Sequence, residues 1–263
     1  MTYRDLLAND PEFELRNGVY CSKSCLDTAF EHNYNRLRAL EGRSYDDATV
    51  FRLPQFSGLP QLETEWKIRS QSAKKLSGLL KKKKPGLIAE VGCGNGWLTH
   101  YLAATLRTEC WGIDVNMIEL EQAARVFKQQ TEVCFLNIDL TRAKPGFFNA
   151  DVIVVAGAIQ YFPDLAQIIT QLSGYLAGAG EIHILDSPLY ASPGEASAAR
   201  ERSRAYFVSR NSPEMVQRYF HHSIQALHGF RFSILDGPRT GGSFARRIDR
   251  GGRSVFPWVR IET

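Results

Sequence analysis

Gly86-Leu-Ile-Ala-Glu-Val-Gly-Cys-Gly-Asn-Gly-Trp97 is the stretch on which the reading of this chain turns. Leu87 to Val91 is a short apolar run, partly β-branched and bounded by glycine, which suits a buried strand better than a helix. Beyond the glycines, Leu98, Leu102 and Leu106 recur every four residues and form the inner stripe of a helix. The unit is therefore strand, glycine turn, helix. Glycine at 92, 94 and 96 permits positive φ and clears side chains from the turn, so a flat or extended ligand is expected to lie against it.

The surrounding charges narrow the ligand. A dinucleotide site uses G-x-G-x-x-G with helix amides aimed at a pyrophosphate. Here the spacing is G-x-G-x-G, and Glu90 precedes the first glycine by two residues. A carboxylate there repels a pyrophosphate but favours an ammonium group, with charged hydrogen bonds worth about 1.5 to 3 kcal/mol. The next apolar run, Cys110 to Ile113, ends in Asp114, where an acid can accept hydrogen bonds from two ribose hydroxyls. A ribose and a cationic amino-acid end without phosphates are the parts of S-adenosylmethionine.

Glu90-Val-Gly-Cys-Gly-Asn-Gly96, Asp114, Asn137-Ile-Asp139-Leu and Ala158-Ile-Gln-Tyr-Phe-Pro-Asp164 resemble the successive motifs of the class I S-adenosylmethionine-dependent methyltransferases. The resemblance is in order and in register over residues 62 to 186. It implies an α/β, Rossmann-like sheet of seven strands in the order 3-2-1-4-5-7-6, strand 7 antiparallel, with helices on both faces. It also implies that Glu90, Gly92, Gly94, Gly96 and Gly157 border the methionine end, that Asp114 holds the ribose, and that Asp139 reaches the adenine amino group.

The α/β alternation continues downstream. Asn116 is expected to cap a helix, Val133 to Ile138 and Asp151 to Ala156 are strands, and Pro163 opens a helix through Leu176. Gly180 to Leu185 is a fifth strand, and Phe230 to Leu235 and Val255 to Ile261 close the sheet. Upstream, Leu62, Trp66, Ala73, Leu76 and Leu80 share one side of a helix, with Arg69 the one departure from that stripe. Residues 1 to 60 read as an N-terminal extension of short helices, one of them over 27 to 41 and placed to cover the mouth of the site; residues 61 to 263 read as the methyltransferase domain. Residues 187 to 227 read as an insertion of two helices, Glu195 to Ser209 and Pro213 to Leu227, the second capped by Ser212 and placed to act as a lid.

Composition excludes several classes. With 263 residues, 44% of them hydrophobic, the chain can bury a substantial core. Its five scattered cysteines fit a reducing, cytoplasmic setting, and no secretory signal or membrane span is visible. Cys21 and Cys25 lack the second pair that a structural zinc site needs, so no metal is expected. A formal net charge of +4 is too mild to suggest nucleic acid. Lys81 to Lys84 reads as a solvated helix end, and Arg246 to Arg253 as part of a basic loop. No oligomeric state follows from the sequence.

Acceptors in this architecture lie beyond strands 4 and 5, which makes Tyr161, Asp186 and His222 the catalytic candidates, with Gln160, Tyr190, Tyr219 and His221 nearby. Ala156-Gly-Ala-Ile159 replaces the Asn/Asp-Pro-Pro-Tyr of family members that methylate base or glutamine amines. The expected activity is methyl transfer to an oxygen or nitrogen of a small molecule without a metal. An RNA or protein methyltransferase using the basic runs, and a cofactor-binding protein without catalysis, are the alternatives.

Overall fold

The computed structural model describes residues 7–23, 28–237, 254 and 256–263. Its centre is a nine-stranded sheet. In chain order the strands are β1 (Phe13–Arg16), β2 (Val19–Ser22), β3 (Leu87–Val91), β4 (Glu109–Asp114), β5 (Val133–Asn137), β6 (Ala150–Ala156) and β7 (Leu176–Leu185), then β10 (Arg231–Asp236) and β11 (Trp258–Glu262). Between β7 and β10, β8 (Leu189–Tyr190) and β9 (His222–Ser223) form a separate parallel pair.

The sheet order is β1-β2-β5-β4-β3-β6-β7-β11-β10. Seven of these strands reproduce the expected 3-2-1-4-5-7-6, and β11 runs antiparallel to both β7 and β10. All five residues of β3 and of β5 are buried, because helices cover both faces of a parallel sheet. Trp66, Leu76 and Leu80 pack with Leu98 and Leu102 on one face. Ile168, Leu172, Tyr175 and Phe148 fill the other.

The helices are α1 (Thr28–Leu40), α2 (Asp47–Arg52), α3 (Pro60–Lys83), α4 (Trp97–Leu106), α5 (Met117–Val126), α6 (Leu165–Ser173) and α7 (Pro193–Ser209). Local signals set several of their ends. The Asn116 side chain accepts a hydrogen bond from Glu119 N at the start of α5. Ser192 caps α7, with Glu195 N donating to Ser192 Oγ at 3.2 Å, and Glu195 Oε2 accepts from Ala191 N one residue upstream at 3.3 Å. At α6 the cap is Asp164, which accepts from Gln167 N at 2.9 Å, so Pro163 stands outside the helix it was expected to open.

Two expectations are corrected. The first sixty residues are not short helices alone, because β1 and β2 form a hairpin in register from Phe13↔Ser22 to Arg16↔Val19. Its turn is Asn17-Gly18, with φ of 49° and 83°, the backbone that a two-residue hairpin requires. β2 then pairs in parallel with β5 and extends the sheet. The second correction concerns residues 213–227. In place of one helix there are two 3₁₀ turns, Pro213–Gln217 and Ile224–Leu227, on either side of β9. Phe220 N donates to Gln160 O at 2.6 Å, and β9 pairs with β8, so tertiary backbone partners replace the helical ladder. The cap expected from Ser212 is absent, since its hydroxyl donates to Arg210 O at 3.3 Å.

Cys21 is buried and its thiol donates to Val19 O at 3.6 Å. Cys25 and the Arg246 to Arg253 loop lie outside the described residues. Among the described residues, no helix is long and apolar enough to cross a membrane.

Candidate active site

The carboxyl ends of β3, β4, β5, β6 and β7 open on one edge of the sheet, where parallel α/β folds bind ligands. Two adjoining cavities lie there, of about 450 and about 380 Å³. Both are lined by Gly92, Gly94, Gly157 and Tyr161.

The smaller cavity holds Asp114 and Asp139 between the apolar walls of Ile113, Ile138, Ala158 and Phe162. Asp114 Oδ2 accepts from Gly94 N at 2.8 Å and Oδ1 from Asn116 N at 2.9 Å. This carboxylate therefore anchors the glycine turn as well as facing the cavity. Burial raises its pKa, against the lowering effect of hydrogen bonds from the backbone of Asn116, Gly94 and Val115. Asp139 is committed to its own loop: Oδ1 accepts from Thr141 N at 2.9 Å and Thr141 Oγ1 at 2.6 Å, while Arg142 lies 3.4 Å from Oδ2.

The glycines have separate reasons. A Cβ on Gly92, whose φ is +75°, would lie 2.4 Å from Ala158 Cβ. On Gly96 it would meet Phe135 Cε1 at 2.5 Å, so this glycine is needed for packing against the protein itself. Gly94, at φ +52°, has only the Glu119 carboxylate near its missing Cβ, and it borders both cavities.

The larger cavity is lined by Glu90, Arg69, Asp186 and Gln160, with aromatic side chains beyond them. Glu90 is buried in the sheet and its Oε2 accepts from Thr99 Oγ1 at 2.5 Å. Burial drives its pKa up to about 8, despite the Thr99 hydrogen bond. Asp186 sits at the end of β7 with φ +51°, a left-handed conformation that Asp tolerates better than most residues. It accepts from Ser72 Oγ at 2.7 Å, and burial raises its pKa. Arg69, the departure from the apolar stripe of α3, sits beside Gly157, its Nη2 3.6 Å from where a Cβ would be. The same guanidinium pairs with Glu65. That departure was the sequence signal for a cavity residue.

A two-part cap covers this cavity. Arg36 on α1 donates to Asn211 O at 3.0 Å and pairs with Glu214, and Tyr206 on α7 donates to Glu41 Oε1 at 2.5 Å. Tyr34, Tyr161 and Tyr219 meet edge to face with centroids 5.6 and 5.7 Å apart, and Phe207 continues the row at 5.5 Å from Tyr219. Helix α1 thus supplies part of the wall, through Tyr34, Leu37 and Arg38.

The catalytic candidates divide. Tyr161 and Asp186 face the larger cavity, as does Tyr219. His222 does not line either cavity; its Nε2 lies 2.9 Å from Phe162 O, and the ring fastens β9 to the loop after β6. His221 pairs with Ser203 Oγ at 2.8 Å and is likewise outside both linings. Tyr219→Ala is accordingly expected to raise an acceptor's KM by about tenfold while cofactor affinity stays within about twofold. His222→Ala is expected to cost about 1 kcal/mol of stability with kinetics unchanged. Melting curves, cofactor titration and initial rates separate the two; altered kinetics only in the histidine variant would reverse the assignment.

Residues 89–182 match the family described as Methyltransferase domain. A malonyl-[acyl-carrier protein] O-methyltransferase from Halalkalibacterium halodurans is 29% identical over 103 residues, which is 38% of this chain and 38% of that protein. The match thus spans about two fifths of the relative's length. The magnesium protoporphyrin IX methyltransferase of Synechocystis PCC 6803, solved with bound SAM, superposes with a TM-score of 0.53 at 16% identity, over 92% of this chain and 98% of that one. A plantazolicin methyltransferase solved with a desmethyl analogue and SAH gives 0.52 at 15% identity, over 90% and 97%. Residues 89–182 are thus similar to the methyltransferase domain family, and the sheet built around them has the fold of the class I S-adenosylmethionine-dependent methyltransferases.

Proposed function

We propose that this protein transfers the methyl group of S-adenosylmethionine to an oxygen or nitrogen of a small organic acceptor. The observation that carries the reading is the pair of joined cavities, one apolar with an acid at the end of β4, the other polar with Glu90 buried beside the glycine turn. The smaller cavity suits adenine and ribose, with Asp114 accepting from the ribose and Asp139 within reach of the base. Glu90 and Arg69 suit the ammonium and carboxylate of the methionine end. Gly94 leaves the backbone open between the two.

When bound, S-adenosylmethionine supplies an electrophilic methyl group on a sulfonium centre. The chain's own residues supply alignment and dryness. Holding donor and acceptor in one geometry can contribute about 7 to 11 kcal/mol. The row of Tyr34, Tyr161, Tyr219 and Phe207 keeps water from the acceptor's side. Asp186, with its raised pKa, is suited to take a proton from an acceptor that must lose one. Ser72 and the tight backbone at 186 hold that carboxylate in place.

The exposed run Lys81 to Lys84 precedes β3, whereas the cavities lie beyond its end. Five residues of strand separate them, about 16 Å. That distance keeps this run away from the acceptor, while the Arg246 to Arg253 run lies outside the described residues. Calorimetry tests the cofactor half of the reading: S-adenosylmethionine should bind, and NADH should not, because the G-x-G-x-G turn lacks the spacing of a pyrophosphate site. Tight NADH binding without S-adenosylmethionine binding would sink it.

A further inference from the structure

Four arginines lie in or beside the capped cavity, and three have carboxylate partners. Arg36 pairs with Glu214, Arg43 with Glu41 and Glu65, and Arg69 with Glu65. Arg38 differs. It lines the larger cavity from α1, and among the described residues it has no ion pair. Its Nε is buried without a hydrogen-bond partner. Its guanidinium lies over the Tyr34 ring, 5.7 Å from the centroid, beside the aromatic row. A guanidinium stays charged at any physiological pH, and a buried donor left unmade is costly. Glu119 and Glu41 lie near enough to support its charge, but neither forms an ion pair with it, which leaves the guanidinium fork open to an anion from outside the chain.

We propose that Arg38 is a specificity residue that receives a carboxylate on the methyl acceptor, whose flat or apolar body lies along Tyr34, Tyr161 and Tyr219. This rests on the methyltransferase reading above. A carboxylate matches the fork of a guanidinium through two parallel hydrogen bonds. A dianionic phosphate suits the cavity less, because Glu41, Glu90, Glu119 and Asp186 also line it. The cofactor's own carboxylate is the other source of this chemistry. Arg69 stands nearer to it, beside Gly157 at the end of β6, which leaves Arg38 to the acceptor.

The test titrates the full-length protein, saturated with S-adenosylhomocysteine, with benzoate and phenylacetate and with their neutral amides, benzamide and phenylacetamide. Wild type is expected to bind the acids at least about tenfold tighter than the amides, as one buried charged hydrogen-bond pair implies. Arg38→Gln should bring acid and amide within about twofold, with S-adenosylhomocysteine affinity also within about twofold. Arg38→Lys, which keeps the charge without the fork, should retain part of the preference and serves if the glutamine variant melts early. Equal binding of acid and amide in wild type, or no binding of the acids, overturns the proposal. So does an undiminished preference in Arg38→Gln, or in Arg38→Lys where the lysine variant serves. A tenfold loss of S-adenosylhomocysteine affinity in the variant assigns Arg38 to the cofactor's carboxylate and overturns it too. If wild type binds no S-adenosylhomocysteine, the methyltransferase reading fails instead, and the acid-to-amide ratio on the free protein still decides the role of Arg38.

Discussion

Binding of S-adenosylmethionine should tighten as the pH rises between about 5.5 and about 7, approaching tenfold per unit. Glu90 is the main reason. Burial in the sheet holds its pKa at about 8, so the ligand-free protein keeps this carboxyl protonated across that interval. An ammonium group favours the ionised form, and binding must therefore release a proton. The cofactor's amine remains charged over the same interval, so the slope reports the protein. Glu119, raised to about 7 by burial, and Asp114, also raised, add in the same direction.

The same proton governs the stability of the free protein. Between the ordinary value of 4.5 and the folded value of about 8, the folded chain holds a proton that the unfolded chain has lost. Glu90 therefore stabilises the free fold fully at low pH, and its contribution disappears as the pH rises through 8. Calorimetry in buffers of different ionisation heat counts the released proton, and melting curves follow the second effect. Glu90→Gln should flatten most of the affinity slope and weaken binding by about 1.5 to 3 kcal/mol. A slope unchanged in that variant would show that Glu90 does not meet the charge.

Asp114→Ala should weaken the cofactor by about 1.5 to 3 kcal/mol, a loss of about 10- to 150-fold, and Asp139→Ala by only about 0.5 to 1.5 kcal/mol. The difference follows from what each acid already does. Asp114 joins β4 to the glycine turn through Gly94 N, and an ionised carboxylate has further lone pairs for ribose hydroxyls. Its loss removes ligand contacts and loosens the turn together. Asp139 spends one oxygen on Thr141 and places the other near Arg142. Equal affinities in wild type and Asp114→Ala would remove this acid from the cofactor site.

The central seven strands were legible because their signal is local. A run such as Leu87 to Val91, buried on both faces, followed by glycines and a four-residue leucine stripe, allows one kind of supersecondary unit, and its repetition leaves few topologies. The glycine turn and Asp114 were legible for the same reason. The Asn17-Gly18 hairpin also carried a local signal, the dipeptide between two short runs, although charged residues masked its alternation.

Elsewhere only tertiary contacts decide. Met215, Tyr219, His222 and Ala226 have helical spacing, yet Gln160 O and β8 take the backbone partners that a helix would need. The same contacts turn His222 toward Phe162 and leave Tyr219 in the cavity wall. Arg69 and Arg38 are cations on helices, a place where long side chains usually reach water. Whether such a charge is solvated or held in a cavity depends on what the rest of the chain packs over it, and the apposition of α1 and α7 closes that cavity across more than 160 residues of sequence, as the Tyr206–Glu41 bond with its separation of 165 shows. Periodicity within a segment carries no information about a wall supplied from so far along the chain.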